Sequence, residues 1–143
     1  MAESASGCES HRAVALQAAL ETITLLKNDN SAAPLDVGSV GTIAVIGPNS
    51  DRMLLGGYSG LPNYVSTVLQ GIRDYVGSRA RVVHHEGCKI TNDGSWFHDE
   101  VTPSDPAEDR RSIAAAIEVA RDADVIVLAV GGNEQTSREA WFG

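Results

Sequence analysis

The sequence is poor in cysteine and in aromatic residues, and each shortage excludes a class of protein. Among 143 residues there are only two cysteines, Cys8 and Cys88, so the chain is not a disulfide-dense secreted scaffold. Two cysteines this far apart leave open whether they form one disulfide or remain free thiols. Aromatic residues amount to 5% of the chain against 43% hydrophobic residues, which predicts an aliphatic core.

The sequence also lacks long apolar runs and an excess of basic charge. No stretch reaches the roughly 20 apolar residues of a membrane-spanning helix. The formal net charge of −8 argues against nucleic acid or an anionic membrane surface as the main partner. Residues 1–9 are predicted to be a disordered lead-in and not a signal peptide. A signal peptide on a longer parent chain would make the protein periplasmic or secreted, so the compartment is open.

Helical and strand patterns alternate through the rest of the chain. Apolar residues at helical spacing predict three helices, at 11–27, 65–76 and 105–120. The β-branched character of residues 22–26 leaves open that the tail of the first helix is extended instead. Ser10 is the expected N-cap of the first helix, and Ser66 or Thr67 that of the second. Short apolar runs predict three strands, at 42–46, 80–84 and 125–130. This alternation is typical of an α/β fold with a mostly parallel sheet.

The run Val125–Val130 is the element most indicative of function. Six consecutive apolar residues predict a strand that is buried on both faces, as in a parallel sheet. The polar loop from Gly131 onward leaves the carboxyl end of this strand. Ligands and catalytic groups collect at that end in open α/β sheets, so we expect functional residues in this loop.

Two further motifs have both a chemical and a structural interpretation. Residues 56–60 are rich in glycine, but they match neither a dinucleotide fingerprint nor a P-loop, which favours a tight turn that needs positive φ. His84, His85 and Glu86 are metal-ligand types. On a strand, however, His84 and Glu86 share one face and His85 lies on the other, so we expect no metal site there.

Six segments with distinctive motifs follow one another along the chain. In order they are Thr22–Asn30 (TITLLKNDN), Pro34-Leu35, Thr42–Asp51 (TIAVIGPNSD), Leu54–Pro62 (LLGGYSGLP), His84–Ile90 (HHEGCKI) and Ala123–Gly132 (ADVIVLAVGG). Together they resemble the second domain of the glycoside hydrolase family 3 enzymes. The glycine-tyrosine element and the Gly-Cys pair resemble most the β-xylosidase and related β-glucosidase branch.

The resemblance implies a fold and a partner domain. Residues 10–143 would form the first part of a C-terminal α/β sandwich of three layers, with a mostly parallel sheet that is incomplete here at about three core strands. In the family, a preceding barrel domain, which does not match any part of this chain, supplies the Asp nucleophile and most of the sugar-binding residues. The sandwich domain contributes a loop that carries the acid/base Glu.

The resemblance also implies an activity. It is exo-acting, retaining hydrolysis of terminal non-reducing sugars from oligosaccharide or aryl glycoside substrates, without a cofactor or a metal. Retaining hydrolysis needs two carboxyl groups about 5–5.5 Å apart, one as nucleophile and one as acid and then base. The chain alone is therefore expected to be inactive, since it offers one catalytic carboxylate at best.

Three residues are candidates for the site that the resemblance implies. Arg138-Glu139-Ala140 fits the family's acid/base position, which makes Glu139 the first candidate, and Glu134 is the alternative because it lies nearer the strand. Both could equally be solvated loop acids. Trp141 could stack on a sugar face or pack in an interface. The competing function is a non-enzymatic Rossmann-like module for nucleotide binding or protein interaction, against which the missing phosphate fingerprint counts.

Overall fold

The chain divides into two compact units, Met1–Leu35 and Asp36–Gly143. The computed structural model describes residues 7–56, 58–92 and 100–137. No helix in these described ranges is long and apolar enough to cross a membrane. The predicted lead-in at 1–9 falls largely outside them.

In the described residues of the first unit, the α-helix α1 spans Glu9–Thr22 and has no buried side chain. The predicted N-cap at Ser10 is wrong, because the helix begins earlier and Cys8 is the N-cap residue. Helix α1 ends well before residue 27, since Ile23 turns to extended backbone with φ −79° and ψ 113°, in agreement with the extended alternative for its tail. Three consecutive β-branched residues at 22–24 favour extended backbone, which accounts for the early end. A 3₁₀ turn follows at Asp29–Ser31.

The second unit is a parallel sheet with one helix on each face. In chain order it contains β1 (Thr42–Ile46), α2 (Val68–Val76), β2 (Arg81–His85), β3 (Thr91–Asn92), β4 (Thr102–Pro103), α3 (Pro106–Ala120) and β5 (Val125–Leu128). The sheet order is β2-β1-β5, and both pairs are parallel. Ile43 of the central strand lies opposite Val82 of β2 and Val125 of β5. The predicted α/β class with a mostly parallel sheet of three strands is confirmed.

The two faces of β1 bury two separate cores. Side chains of successive strand residues point to opposite faces, so Ile43 and Val45 pack on one side with Val37, Leu69 and Val76. On the other side, Ala44 and Ile46 pack against Ala116 and Ala120 of α3. Burying a side chain such as Leu or Val contributes about 1.5–3 kcal/mol. The result is a helix–sheet–helix arrangement of three layers.

The cap of α2 at Thr67 agrees with the sequence prediction, and α3 is capped in the same way by Asp105. The Thr67 hydroxyl accepts a hydrogen bond from the Gln70 amide at 3.1 Å, and a carboxylate oxygen of Asp105 accepts one from the Ala107 amide at 2.7 Å. Such a cap contributes about 1 kcal/mol, because it satisfies an amide that has no partner within the helix. Pro106 follows Asp105 in the first turn, where its missing N–H costs no bond.

The polar segment at 87–106 contains the antiparallel pair of β3 and β4. Two-residue strands are too short to leave a periodic pattern in the sequence. The glycine-rich turn at 56–60 is predicted to need positive φ. Neither Gly56 nor Gly60 has it, but Gly57 lies outside the described residues, so this stays a prediction.

The prediction that β5 is buried on both faces is also wrong. The strand ends at Leu128, and Ile126 and Leu128 are 56% and 62% exposed. In the described part of the chain β5 pairs with β1 alone, and α3 packs over the central strand, so one face of β5 is left open. Together with Ile113 and Ile117 of α3, these side chains line an apolar depression of about 350 Å³.

Candidate functional site

The carboxyl ends of β1 and β5 are tied together where both strands run into polar loops. The Ala129 amide donates to the Ile46 carbonyl at 2.7 Å, and the Asn49 amide donates to the Ala129 carbonyl at 3.3 Å. Gly47 allows this approach: its φ is +122°, and a Cβ there would lie 2.8 Å from the carbonyl carbon of Ala129 and closer still to its oxygen. Only glycine accommodates both the conformation and the contact.

Asn133 is the centre of the loop that follows β5. Its side chain is buried, with 5% exposed, and its Oδ1 accepts hydrogen bonds from the amides of Gln135 and Thr136, both at 3.0 Å. Its Nδ2 donates to Oγ1 of Thr91, on β3, at 2.7 Å. Thr91 is equally buried, with 5% exposed. Asparagine side chains commonly fix a turn by bonding backbone amides two residues on.

A second asparagine holds the same loop from the side of β1. Nδ2 of Asn49 donates to the Gly132 carbonyl at 2.9 Å. Gly132 is itself crowded, since a Cβ on it would lie 2.8 Å from Oγ1 of Thr136. The start of the loop is therefore fixed by amide side chains from two directions.

Of the predicted site residues, the structure describes Glu134 only. It is partly buried and lies beside a depression of about 240 Å³, which is also lined by Leu54, Leu55, Gly132 and Ser137. The loop after β1 and the loop after β5 thus meet at this point. Glu139 and Trp141 lie outside the described residues, and their roles remain predictions.

A larger polar depression of about 580 Å³ lies at the carboxyl ends of β1 and β2. Ser50, which is 1% exposed, donates its hydroxyl proton to the Gly47 carbonyl at 2.5 Å. Since a serine has one proton to donate, the 2.8 Å contact between Ser50 Oγ and Nε2 of His84 assigns the ring proton to Nε2. Ser50 and His84 both line the depression.

The charges lining this depression balance. Asp51 and Glu86 oppose Arg52 and Lys89, and Arg52 Nη1 lies 3.9 Å from Glu86 Oε1. Both members of that pair are about half exposed, so the pair contributes at most about 1 kcal/mol.

His84 and His85 have structural hydrogen-bond partners. Nδ1 of His85 accepts a hydrogen bond from the Gly87 amide at 3.0 Å, and within the described ranges no group of three or more His, Cys, Asp or Glu is placed to hold a metal ion. Both cysteines are free thiols. Burial raises the pKa of the Cys88 thiol, and the Asp109 and Glu86 carboxylates raise it further. Cys88 is therefore a poor nucleophile at neutral pH.

Comparison with known proteins identifies the family. Residues 23–141 match the glycosyl hydrolase family 3 C-terminal domain. The chain belongs to this family. Over 142 residues it is 37% identical to a β-xylosidase of Formosa agariphila, a match that covers 94% of this chain and 18% of that protein. It is also 37% identical over 139 residues to a periplasmic β-glucosidase of Salmonella typhimurium, covering 91% of this chain and 18% of that protein.

The fold of a solved β-glucosidase agrees with this assignment. The structure superposes on a β-glucosidase from Erythrobacter marinus with a TM-score of 0.89 at 37% identity, covering 99% of this chain and 20% of that one. The chain thus spans about a fifth of the length of these relatives. None of the three is named as a nucleotide-binding protein.

Several residues that shape the site have no counterpart in the sequence prediction. Asn133 carries a recognisable signal, because an asparagine directly after a strand and a glycine pair favours a side-chain-bonded turn. Thr91 has no such signal in the sequence, since its partner Asn133 lies 42 positions away. The contact of Ser50 with His84 is likewise formed only by the tertiary fold.

Proposed function

We propose that this chain is part of an exo-acting, retaining β-glycosidase of the β-xylosidase or β-glucosidase type. Its role is to supply the loop that carries the acid/base carboxylate, which we assign to Glu139. The observation that carries the proposal is the loop after β5. It leaves the carboxyl edge of the sheet and is held there by the amide side chains of Asn133 and Asn49, and Glu139 follows two residues after Ser137 in the sequence.

The proposed chemistry uses two carboxyl groups, one as acid and then base and one as nucleophile. Glu139 protonates the leaving-group oxygen as a nucleophilic carboxylate attacks the anomeric carbon, and it then removes a proton from the water that releases the sugar. The nucleophile comes from a barrel domain that acts together with this chain. The chain alone is therefore expected to hydrolyse nothing.

The proposed substrates are oligosaccharides and aryl glycosides, cleaved at the terminal non-reducing sugar. This agrees with the names of the relatives, a β-xylosidase and two β-glucosidases. Trp141, two residues after Glu139, is proposed to stack on a sugar face. Glu134 is the second candidate for the acid/base, because it borders the depression between the two loops.

The test compares Glu139→Gln and Glu134→Gln in the polypeptide that joins this chain to its barrel domain. On an aryl glycoside with a poor leaving group, Glu139→Gln is expected to lower kcat/KM by about 10²–10⁴-fold, the usual contribution of general acid catalysis. Glu134→Gln is the matched control, and it is expected to stay close to the unmodified enzyme. Normal activity of Glu139→Gln on the poor leaving group would refute the assignment, and a loss confined to Glu134→Gln would transfer the role to Glu134.

A further inference from the structure

We propose that the buried hydrogen bond between Asn133 and Thr91 positions the catalytic loop, so that both side chains are positioning residues for the acid/base Glu139. We call this pair the Asn133–Thr91 anchor. The inference rests on the proposed function, because it assumes that Glu139 is the group to be positioned. Neither Asn133 nor Thr91 is assigned a contact with substrate.

The anchor uses nearly the whole hydrogen-bonding capacity of one amide side chain. Oδ1 of Asn133 accepts from two successive backbone amides of the loop, those of Gln135 and Thr136. Nδ2 donates to Thr91 Oγ1 at 2.7 Å, the shortest of these bonds. Oδ1 of the amide therefore fixes the conformation of the loop, and Nδ2 links the loop to β3.

Burial makes this attachment selective for one geometry. Asn133 and Thr91 are each 5% exposed, so water does not readily replace either partner. A buried polar group left without its partner costs the free energy of its desolvation, which disfavours arrangements of the loop that break the bond. The amide cannot move away from Thr91 without that cost.

The rest of the loop leaves little room for an alternative arrangement. Asn49 Nδ2 holds the Gly132 carbonyl at 2.9 Å, and the Ser137 amide donates to the Asn133 carbonyl at 3.1 Å. The chain from Gly132 to Ser137 is thus bonded along its length, and Glu139 follows it two residues later in the sequence. A displacement of about 1 Å at a catalytic group can cost about 10²-fold in rate, so a loosened anchor would act on the chemical step.

Two matched pairs of variants at Thr91 isolate the hydroxyl. Thr91→Val replaces it by a methyl group of similar size, and Thr91→Ser and Thr91→Ala differ from each other by the hydroxyl alone. Thr102→Val is the control for the same substitution at an exposed position of β4. All are made in the polypeptide that includes the barrel domain, and each is checked by its melting temperature.

The readout is kcat/KM over a series of aryl glycosides that differ in leaving-group pKa. Thr91→Val and Thr91→Ala are expected to lose up to about 10²-fold on poor leaving groups and little on dinitrophenyl glycosides, which need no proton. Thr91→Ser and Thr102→Val should follow the unmodified enzyme. Hydrogen exchange at the Gln135 and Thr136 amides should be faster in Thr91→Ala than in Thr91→Ser.

Three outcomes separate the two proposals. If Thr91→Ala and Thr91→Ser show the same dependence on the leaving group, the anchor proposal is refuted, and this comparison holds even where Thr91→Val fails to fold. A uniform loss across all leaving groups refutes it as well, since it indicates a merely structural role. If Glu139→Gln itself shows no dependence on the leaving group, it is the proposed function that fails, whatever the Thr91 variants do.

Discussion

The close approach of the β1 and β5 loops predicts a large cost for Gly47→Ala. An alanine there must adopt a φ of +122°, at about 1–3 kcal/mol for a strained backbone. Its Cβ would also lie 2.8 Å from the carbonyl carbon of Ala129, so the loops must separate. Separation breaks the bonds of Ala129 to Ile46 and of Asn49 to Ala129, each of which contributes about 1 kcal/mol.

Together these terms predict a loss of about 3–5 kcal/mol from a free energy of unfolding that is typically about 5–15 kcal/mol. The assay is urea denaturation of the chain followed by circular dichroism, where the midpoint should fall by about 2 M. Gly56→Ala is the matched control, because its φ is not positive and a Cβ there meets nothing within 4 Å. If Gly47→Ala unfolds at the same urea concentration as Gly56→Ala, the reasoning about the close approach is wrong.

Two further predictions concern the core and the thiols. Leu69→Ala, at a side chain that is 1% exposed, should lower the free energy of unfolding in urea by about 2–5 kcal/mol. Leu61→Ala, at a side chain that is 89% exposed, should change it by no more than about 0.5 kcal/mol. Equal losses for the two variants would contradict the assigned core. At mildly alkaline pH an alkylating reagent should modify Cys8 before Cys88, because the hydrogen bond with Ser10 lowers the pKa of Cys8 and burial raises that of Cys88. Mass spectrometry of the two peptides measures the order, and faster modification of Cys88 would overturn it.

The parts of the fold that could be predicted from the sequence are those set by neighbouring residues. The strand at Thr42–Ile46 and the cap at Thr67 follow from short patterns, and the structure agrees with them. A buried strand and a helix cap need only a few consecutive residues to be specified. The same is true of the alternation that indicates an α/β sheet.

The errors and omissions fall where a distant part of the chain decides the outcome. Whether Ile126 and Leu128 are covered depends on what packs against β5, which an apolar run cannot specify. The pairing of β3 with β4 depends on two very short segments that meet across a loop. The end of α1 shows the opposite case, in which local β-branched residues outweigh a continuing apolar pattern.

The candidate site divides in the same way. The location of a functional loop after β5 follows from the strand pattern, and the choice of Glu139 follows from the family resemblance. What holds the loop does not follow from either. The bonds from Asn133 to Thr91 and from Asn49 to Gly132 join positions far apart in the sequence, so only the folded sheet brings them together.

The most direct test of the acid/base assignment is azide rescue of Glu139→Ala in the polypeptide that includes the barrel domain. With a dinitrophenyl glycoside the first step needs no acid, so the glycosyl-enzyme forms. Its hydrolysis is then slow, because the variant lacks the base that activates water. Azide attacks without a base. The account predicts that added azide restores turnover and yields a glycosyl azide with retained configuration. Unchanged hydrolysis by Glu139→Ala without azide, or no azide product at all, would contradict the account.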